Sequence, residues 1–231
     1  MDDQSRAFVR KLLIWYKKAA RSLPWRETRN PYAILVSEFM LQQTQVSRAL
    51  EYFPRFMARF PTIEKLARAQ PKAVMEEWDG LGYYARARNL HKLARHVTRR
   101  HDGRLPDDPV ELRTLPGVGP YTAGAVACFA YEKAVPAVDV NVARVIGRAF
   151  LSRETRNGKR DTWELTSKLV PKSGKRAWQF NQALMELGAL VCTARKPKCP
   201  ECPVRNNCRT FAKLETPSPR AGPTKRRSRQ V

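Results

Sequence analysis

Cys192, Cys199, Cys202 and Cys208, four of the five cysteines, fall in the pattern C-x6-C-x2-C-x5-C. Four thiolates that close in sequence can converge on one tetrahedral ion or one cubane cluster, and ligand chemistry alone allows either zinc or iron–sulfur. The N-terminal stretch MDDQSRAF has no secretory pattern, so reduced, metal-binding thiols are expected rather than disulfides. Arg195, Lys196, Lys198 and Arg205 interleave with the cysteines and would give this loop a basic, phosphate-facing surface. Cys128 stands apart in an apolar stretch and reads as a core residue.

Two carboxylates have the setting for acid–base work. Glu38 lies in Ala33-Ile34-Leu35-Val36-Ser37-Glu38-Phe39-Met40-Leu41, where a charged acid is expensive unless it is paired or neutral. Burial raises a carboxyl pKa, which suits a general acid near neutral pH; a salt-bridged structural acid is the competing reading. Asp139 follows the short apolar stretch Pro136-Ala137-Val138 and opens a helix. It reads first as an N-cap, a role compatible with facing a cleft.

The segment Leu115-Pro116-Gly117-Val118-Gly119 separates the helical stretches 109–114 and 120–130. Two glycines around one apolar residue permit a tight turn whose backbone N–H groups can hold a phosphate without reading sequence. A plain helix–helix turn is the alternative.

The elements that must position these residues are helical. Phe8–Ala19, Pro31–Gln42, Gln45–Phe60 and Tyr84–Arg99 carry apolar residues at three- and four-residue spacing, and no convincing alternating strand occurs. Pro31, Pro71 and Pro109 sit where a first helical turn tolerates proline, and Asp102-Gly103 and Asn157-Gly158 mark loops. The expected fold is all-α. One helical lobe would be built from residues 1–22 and 136–212 with the cysteine loop 192–208, and a second from 23–135 with the hairpin region 109–130. A cleft would lie between them. Residues 213–231, rich in Pro, Ser, Lys and Arg, are expected to be a disordered basic tail. The formal net charge of the 231 residues is +23, of which the tail supplies +5, so the part expected to fold is itself strongly basic. Such a charge points to a polyanionic partner, usually nucleic acid, and no run is apolar for long enough to span a bilayer.

Taken together, the motifs resemble the endonuclease III, or helix-hairpin-helix-GPD, superfamily of DNA repair enzymes over about residues 8–210, and within it the adenine glycosylase branch. The resemblance is carried by Leu23-Pro24-Trp25-Arg26, Asn30 through Leu41-Gln42-Gln43-Thr44-Gln45-Val46, Gly80-Leu81-Gly82-Tyr83-Tyr84 with Arg86 and Arg88-Asn89-Leu90, the glycine hairpin, Asp139, Phe180-Asn181-Gln182 and the cysteine spacing. It implies a [4Fe-4S] cluster on Cys192, Cys199, Cys202 and Cys208. It also implies an enzyme that flips a base out of the duplex. Glu38 would protonate the extruded adenine, and Asp139 would stabilise the positive sugar or bond to it transiently. Tyr121 stands where bifunctional members carry a Schiff-base lysine, so a monofunctional glycosylase is expected. Trp25, Arg26, Val46 and Gln182 match positions that line the base pocket, and the Gln182 amide suits bidentate pairing with adenine. Gln43 and Tyr83 match residues that wedge into the duplex, and Leu81, Gly117, Val118 and Gly119 are further DNA-binding candidates.

Two features depart from the adenine branch. Its members usually continue into a C-terminal domain that reads 8-oxoguanine, for which the residues after Cys208 leave no length, and Val140 replaces the glycine that usually follows the catalytic aspartate. These features, with Tyr121, lean toward the short G:T mismatch glycosylases that excise thymine or uracil. Val46, Gln182 and the Gln42-Gln43 pair lean toward adenine mispaired with G or 8-oxoguanine. The expectation is therefore an adenine-excising monomer acting on mispaired double-stranded DNA, cytoplasmic and nucleoid-associated, with no membrane contact.

Overall fold

The computed structural model describes residues 1–151 and 159–215, and among these it contains helices and no strand. The helices are α1 (Asp3–Ala19), α2 (Pro31–Leu41), α3 (Val46–Arg59), α4 (Ile63–Arg68), α5 (Pro71–Trp78), α6 (Ala85–Arg100), α7 (Pro109–Leu112), α8 (Pro120–Tyr131), α9 (Val140–Phe150), α10 (Lys159–Leu169), α11 (Gly174–Leu190) and α12 (Arg209–Glu215). Prolines open α2, α5, α7 and α8, where the missing N–H has no helical partner to lose. No helix among the described residues is long and apolar enough to cross a membrane.

Packing sorts the helices into two groups. In one, α2 lies against α3, α6 and α8, while α6 also packs on α4 and α5. In the other, α11 lies against α1 and α9, and α9 also carries α10 and α12. The α8–α11 contact joins the groups, and one continuous cluster of buried apolar side chains runs through both.

Both ends of α2 are fixed. Asn30 caps its start by accepting from the Tyr32 and Ala33 N–H groups at 2.9 and 3.1 Å. Its residues Tyr32 to Met40 are all buried, so this helix is enclosed on every side and any polar group on it must find a partner or stay neutral.

Two boundaries differ from the sequence reading. The α12 helix runs to Glu215, so residues 213–215 are helical rather than part of a disordered tail. The start of this helix is tied to α9, where Thr210 donates to the Arg148 carbonyl at 2.7 Å. The helix before the glycine hairpin, α7, stops at Leu112 rather than 114, and Thr114 turns its hydroxyl back onto the Glu111 carbonyl. The Asn157-Gly158 loop and residues 216–231 lie outside the described residues.

Candidate active site and cluster loop

A cleft of about 1050 Å³ opens where the two groups of helices meet, and Glu38, Tyr121 and Asp139 all line it. Glu38 enters from α2, Tyr121 from the first turn of α8, and Asp139 from the residue before α9.

Small residues make this convergence possible. A Cβ on Gly124 of α8 would sit 2.2 Å from the Pro136 carbonyl oxygen, and one on Gly188 of α11 would sit 2.6 Å from the Asn141 Cβ. The segment carrying Asp139 is thus pressed between α8 and α11 at distances only glycine permits. Asn181 of α11 adds a tether, accepting from the Ala137 N–H at 2.9 Å and donating to the Val135 carbonyl at 3.0 Å.

The two acids have different surroundings. Glu38 is 4% exposed, and its Oε2 has no hydrogen-bond partner among the described residues. Burial pushes its pKa up from 4.5 to about 7; the Tyr121 hydroxyl and Arg26 oppose the rise, while Asp139 adds to it. Glu38 can therefore hold a proton at neutral pH. Tyr121 is pushed well above the ordinary tyrosine range by burial and by the two carboxylates it faces, so it remains a neutral hydroxyl. Asp139 is half-buried and caps α9, accepting from the Val142 N–H at 2.7 Å and from the Asn141 amide at 2.9 Å. The N-cap reading and the cleft-facing reading thus hold together.

Trp25, Arg26, Val46 and Gln182 line the same cleft. Trp25 is buried and packs edge-on against Phe53, so it forms wall and core at once. Gln182 is less free than the sequence suggested, because its Oε1 already accepts from Arg26 Nε at 2.8 Å. Its amide is thereby oriented, leaving the NH₂ end as the group free for a bound base.

The sequence reading missed Glu186, Arg21 and Asn141. Glu186 is fully buried beneath Gln182 and accepts from Arg21 Nε at 2.7 Å and from Arg26 Nη2 at 2.9 Å. Burial would raise its pKa, but the two guanidiniums outweigh burial and hold it below the ordinary value. The signal was present, since Glu186 interrupts an apolar helix just as Glu38 does. Asn141 connects the site to the cysteine loop: Arg144 Nη2 donates to its Oδ1 at 2.7 Å, and Arg144 Nε donates to the Cys192 carbonyl at 2.7 Å.

The remaining candidates lie on the rim. Tyr83 is 59% exposed and Gln43 is exposed, and both adopt positive φ, at 47° and 55°. That backbone is uncommon outside glycine and turns both side chains outward. In the hairpin, Gly117 has φ 78°, and a Cβ there would meet Asn89 at 2.8 Å. A Cβ on Gly119 would meet nothing, so the space in front of it is open. Two DNA-binding candidates need correction. The Leu81 side chain is 5% exposed and packs in the core. Val118 is also buried, and its N–H is consumed by the Leu115 carbonyl. Both side chains are buried in this structure, and Val118 serves the turn as its apolar plug.

The four loop cysteines lie close enough for their charges to act on one another. Burial first, and then the charges of Cys192, Cys208 and Cys199, raise the Cys202 thiol to about 11. Arg148 reaches the loop from α9, with Nη1 donating to Cys192 Sγ at 3.3 Å and to the Thr193 carbonyl at 2.7 Å. Among the described residues no His, Cys, Asp or Glu group is gathered tightly enough for a single metal ion. Four thiols from one short loop, electrostatically coupled to one another, are a donor set that suits an iron–sulfur cluster.

Residues 36–172 match the HhH-GPD superfamily of base excision DNA repair proteins, and residues 192–208 match the iron–sulfur binding domain of endonuclease III. An adenine DNA glycosylase of Mycobacterium tuberculosis is 48% identical over 197 residues, covering 84% of this chain and 64% of that protein. The adenine DNA glycosylase of Homo sapiens is 42% identical over 221 residues, covering 90% of this chain and 40% of the human protein. The chain therefore spans less than two thirds of these relatives. Among solved structures, a thermostable thymine-DNA glycosylase superposes with a TM-score of 0.85 at 33% identity, covering 91% of this chain and 97% of that one. A trapped endonuclease III–DNA covalent intermediate superposes at 0.79 with 25% identity, covering 94% and 100%. The cofactor is a [4Fe-4S] cluster.

Proposed function

The chain belongs to the HhH-GPD superfamily of base excision DNA repair proteins, and from that membership we propose that it is a monofunctional DNA glycosylase that excises adenine mispaired with G or 8-oxoguanine. One observation carries the chemistry: a carboxyl with a pKa of about 7 and a hydrogen-bonded, helix-capping carboxylate share one open cleft.

An extruded purine enters between Trp25, Val46 and Gln182, where the oriented NH₂ of Gln182 donates to a ring nitrogen. Glu38 gives its proton to the base and makes it a better leaving group. As the glycosidic bond breaks, positive charge grows on the sugar, and the Asp139 carboxylate stabilises it electrostatically or by transient bonding. Water completes the hydrolysis. No lysine is among the described residues that line the cleft, and Tyr121 has no amine, which supports hydrolysis without a Schiff base.

Cys192, Cys199, Cys202 and Cys208 would hold the cluster. When bound, it supplies four iron–thiolate bonds that cross-link the loop and hold exposed Arg195, Lys196, Lys198 and Arg205 toward phosphate. Gln43 and Tyr83 would wedge into the duplex, and the hairpin backbone at Gly117 and Gly119 would hold its phosphates. The adenine relatives support adenine over thymine. The test is a panel of end-labelled duplexes bearing A:G, A:8-oxoguanine, G:T and G:U, each treated with protein and then alkali. Strand breaks at adenine are expected. Breaks only at T or U would reassign the base, and breaks nowhere would reject the activity.

A further inference from the structure

Arg86, at the start of α6, is a buried cation with no carboxylate partner among the described residues. Such a charge is costly unless its donors are all used, and here they are spent on backbone carbonyls. Nη1 donates to the carbonyls of Phe39, Met40 and Gln42 at 3.0, 2.7 and 2.5 Å. Nη2 donates to those of Leu81 and Gly82 at 3.2 and 3.0 Å, and Nε to that of Tyr83 at 3.4 Å. Phe39 and Met40 belong to the last turn of α2, whose carbonyls have no helical donors, and that turn also carries Glu38. Gln42 and Gly82 immediately precede Gln43 and Tyr83, both exposed and in left-handed backbone. The guanidinium also lies 5.4 Å from the Trp78 ring and 5.5 Å from the Tyr83 ring.

We propose that Arg86 is a positioning residue that ties the α2 end and the Gly80–Tyr83 turn into one unit, so that Gln43 and Tyr83 enter the duplex as a single two-pronged wedge in register with Glu38. The inference rests on the glycosylase reading for its consequence, not for its geometry. Each prong alone sits in a backbone conformation that costs free energy and would relax without an anchor. A planar fork with five donors can serve two carbonyl sets at once; an ammonium, with three donors on a point charge, cannot span them. The guanidinium never touches the reacting atoms, so its effect belongs to extrusion and alignment.

The test uses Arg86→Lys, which keeps the charge and removes the fork, and has two arms. In the free protein, amide hydrogen exchange should quicken together in residues 39–44 and 80–84 while α9 and α11 keep their protection. Loosening of one segment alone, or of neither, overturns the tether. On DNA, single-turnover excision from a mispaired duplex should slow by about tenfold or more, with a much smaller loss when the adenine lies opposite an abasic site and has no partner to leave. Equal losses on both substrates would mean that Arg86 only supports the fold or Glu38. Combining Arg86→Lys with Tyr83→Ala should cost little beyond Tyr83→Ala; full multiplication of the losses would also overturn the proposal. If the parent protein cleaves no duplex, the glycosylase reading fails, and the exchange arm still decides the tether.

Discussion

Glu38 and Glu186 line the same cleft from two helices, and both are buried acids in apolar sequence, yet their pKa values are shifted in opposite directions. Among the described residues Glu38 has no ion-pair partner and its Oε2 is unpartnered, and burial lifts it to about 7. Glu186 is clamped by Arg21 and Arg26 and is held below the ordinary carboxyl value. Burial alone therefore does not decide protonation in this molecule; the presence of a guanidinium partner does. The arrangement also spares Glu38, because Glu186 and Gln182 engage the Arg26 guanidinium that would otherwise favour its ionised form.

The comparison is broken most severely at Glu38. Glu38→Gln should reduce single-turnover excision of adenine by about a thousandfold, since an amide cannot donate a catalytic proton, while duplex affinity stays near that of the parent. Replacing the other acid should act on stability first. Glu186→Gln leaves two guanidiniums with a weaker acceptor, at a cost of about 3 kcal/mol in denaturant unfolding, toward the low end for a buried pair because Arg21 is partly exposed. The freed Arg26 charge should also favour ionised Glu38, moving the alkaline limb of the excision rate to lower pH.

A third prediction separates the two acids by pH. Glu38 has a folded pKa above its unfolded value of 4.5, so its contribution to stability is complete below 4.5 and fades as pH rises through about 7. Unfolding measured at pH 5 and pH 9 should therefore show Glu38→Gln gaining on the parent by up to about 3 kcal/mol at the alkaline end. Glu186 runs the other way: its folded value lies below its unfolded one, so its contribution is present above 4.5 and is lost as pH falls through the depressed value. The smallest effect is expected far from the cleft. Removing residues 216–231, which carry five cations and no acid, should weaken binding about equally on matched and mispaired duplexes and make its salt dependence shallower.

How much of this was legible in sequence follows from which interactions are local. The α2 helix, the Asp139 cap and the glycine hairpin depend on neighbours a few residues away and were readable there. The apolar run around Glu38 announced a buried acid, and the same signal stood unread at Glu186. Sequence could not tell the two apart, because the Arg21 and Arg26 partners lie about 160 residues from Glu186 along the chain. Leu81 was misread for a related reason. It lies two residues before Tyr83 in the same turn, but the left-handed backbone at Gly82 and Tyr83 reverses the chain so that Leu81 is buried and Tyr83 exposed. The role of Arg86 was invisible because its partners are carbonyl oxygens, which leave no mark in residue identity.

The central claim is that burial holds the Glu38 carboxyl near a pKa of about 7, so that a large share is still protonated at neutral pH. The most direct measurement is the carboxyl-carbon chemical shift of labelled glutamate, followed from pH 4 to 9 and assigned by difference from Glu38→Gln. A resonance titrating near pH 7 is the result the account requires. A Glu38 that is already fully ionised by pH 5.5, like an exposed glutamate, would contradict it.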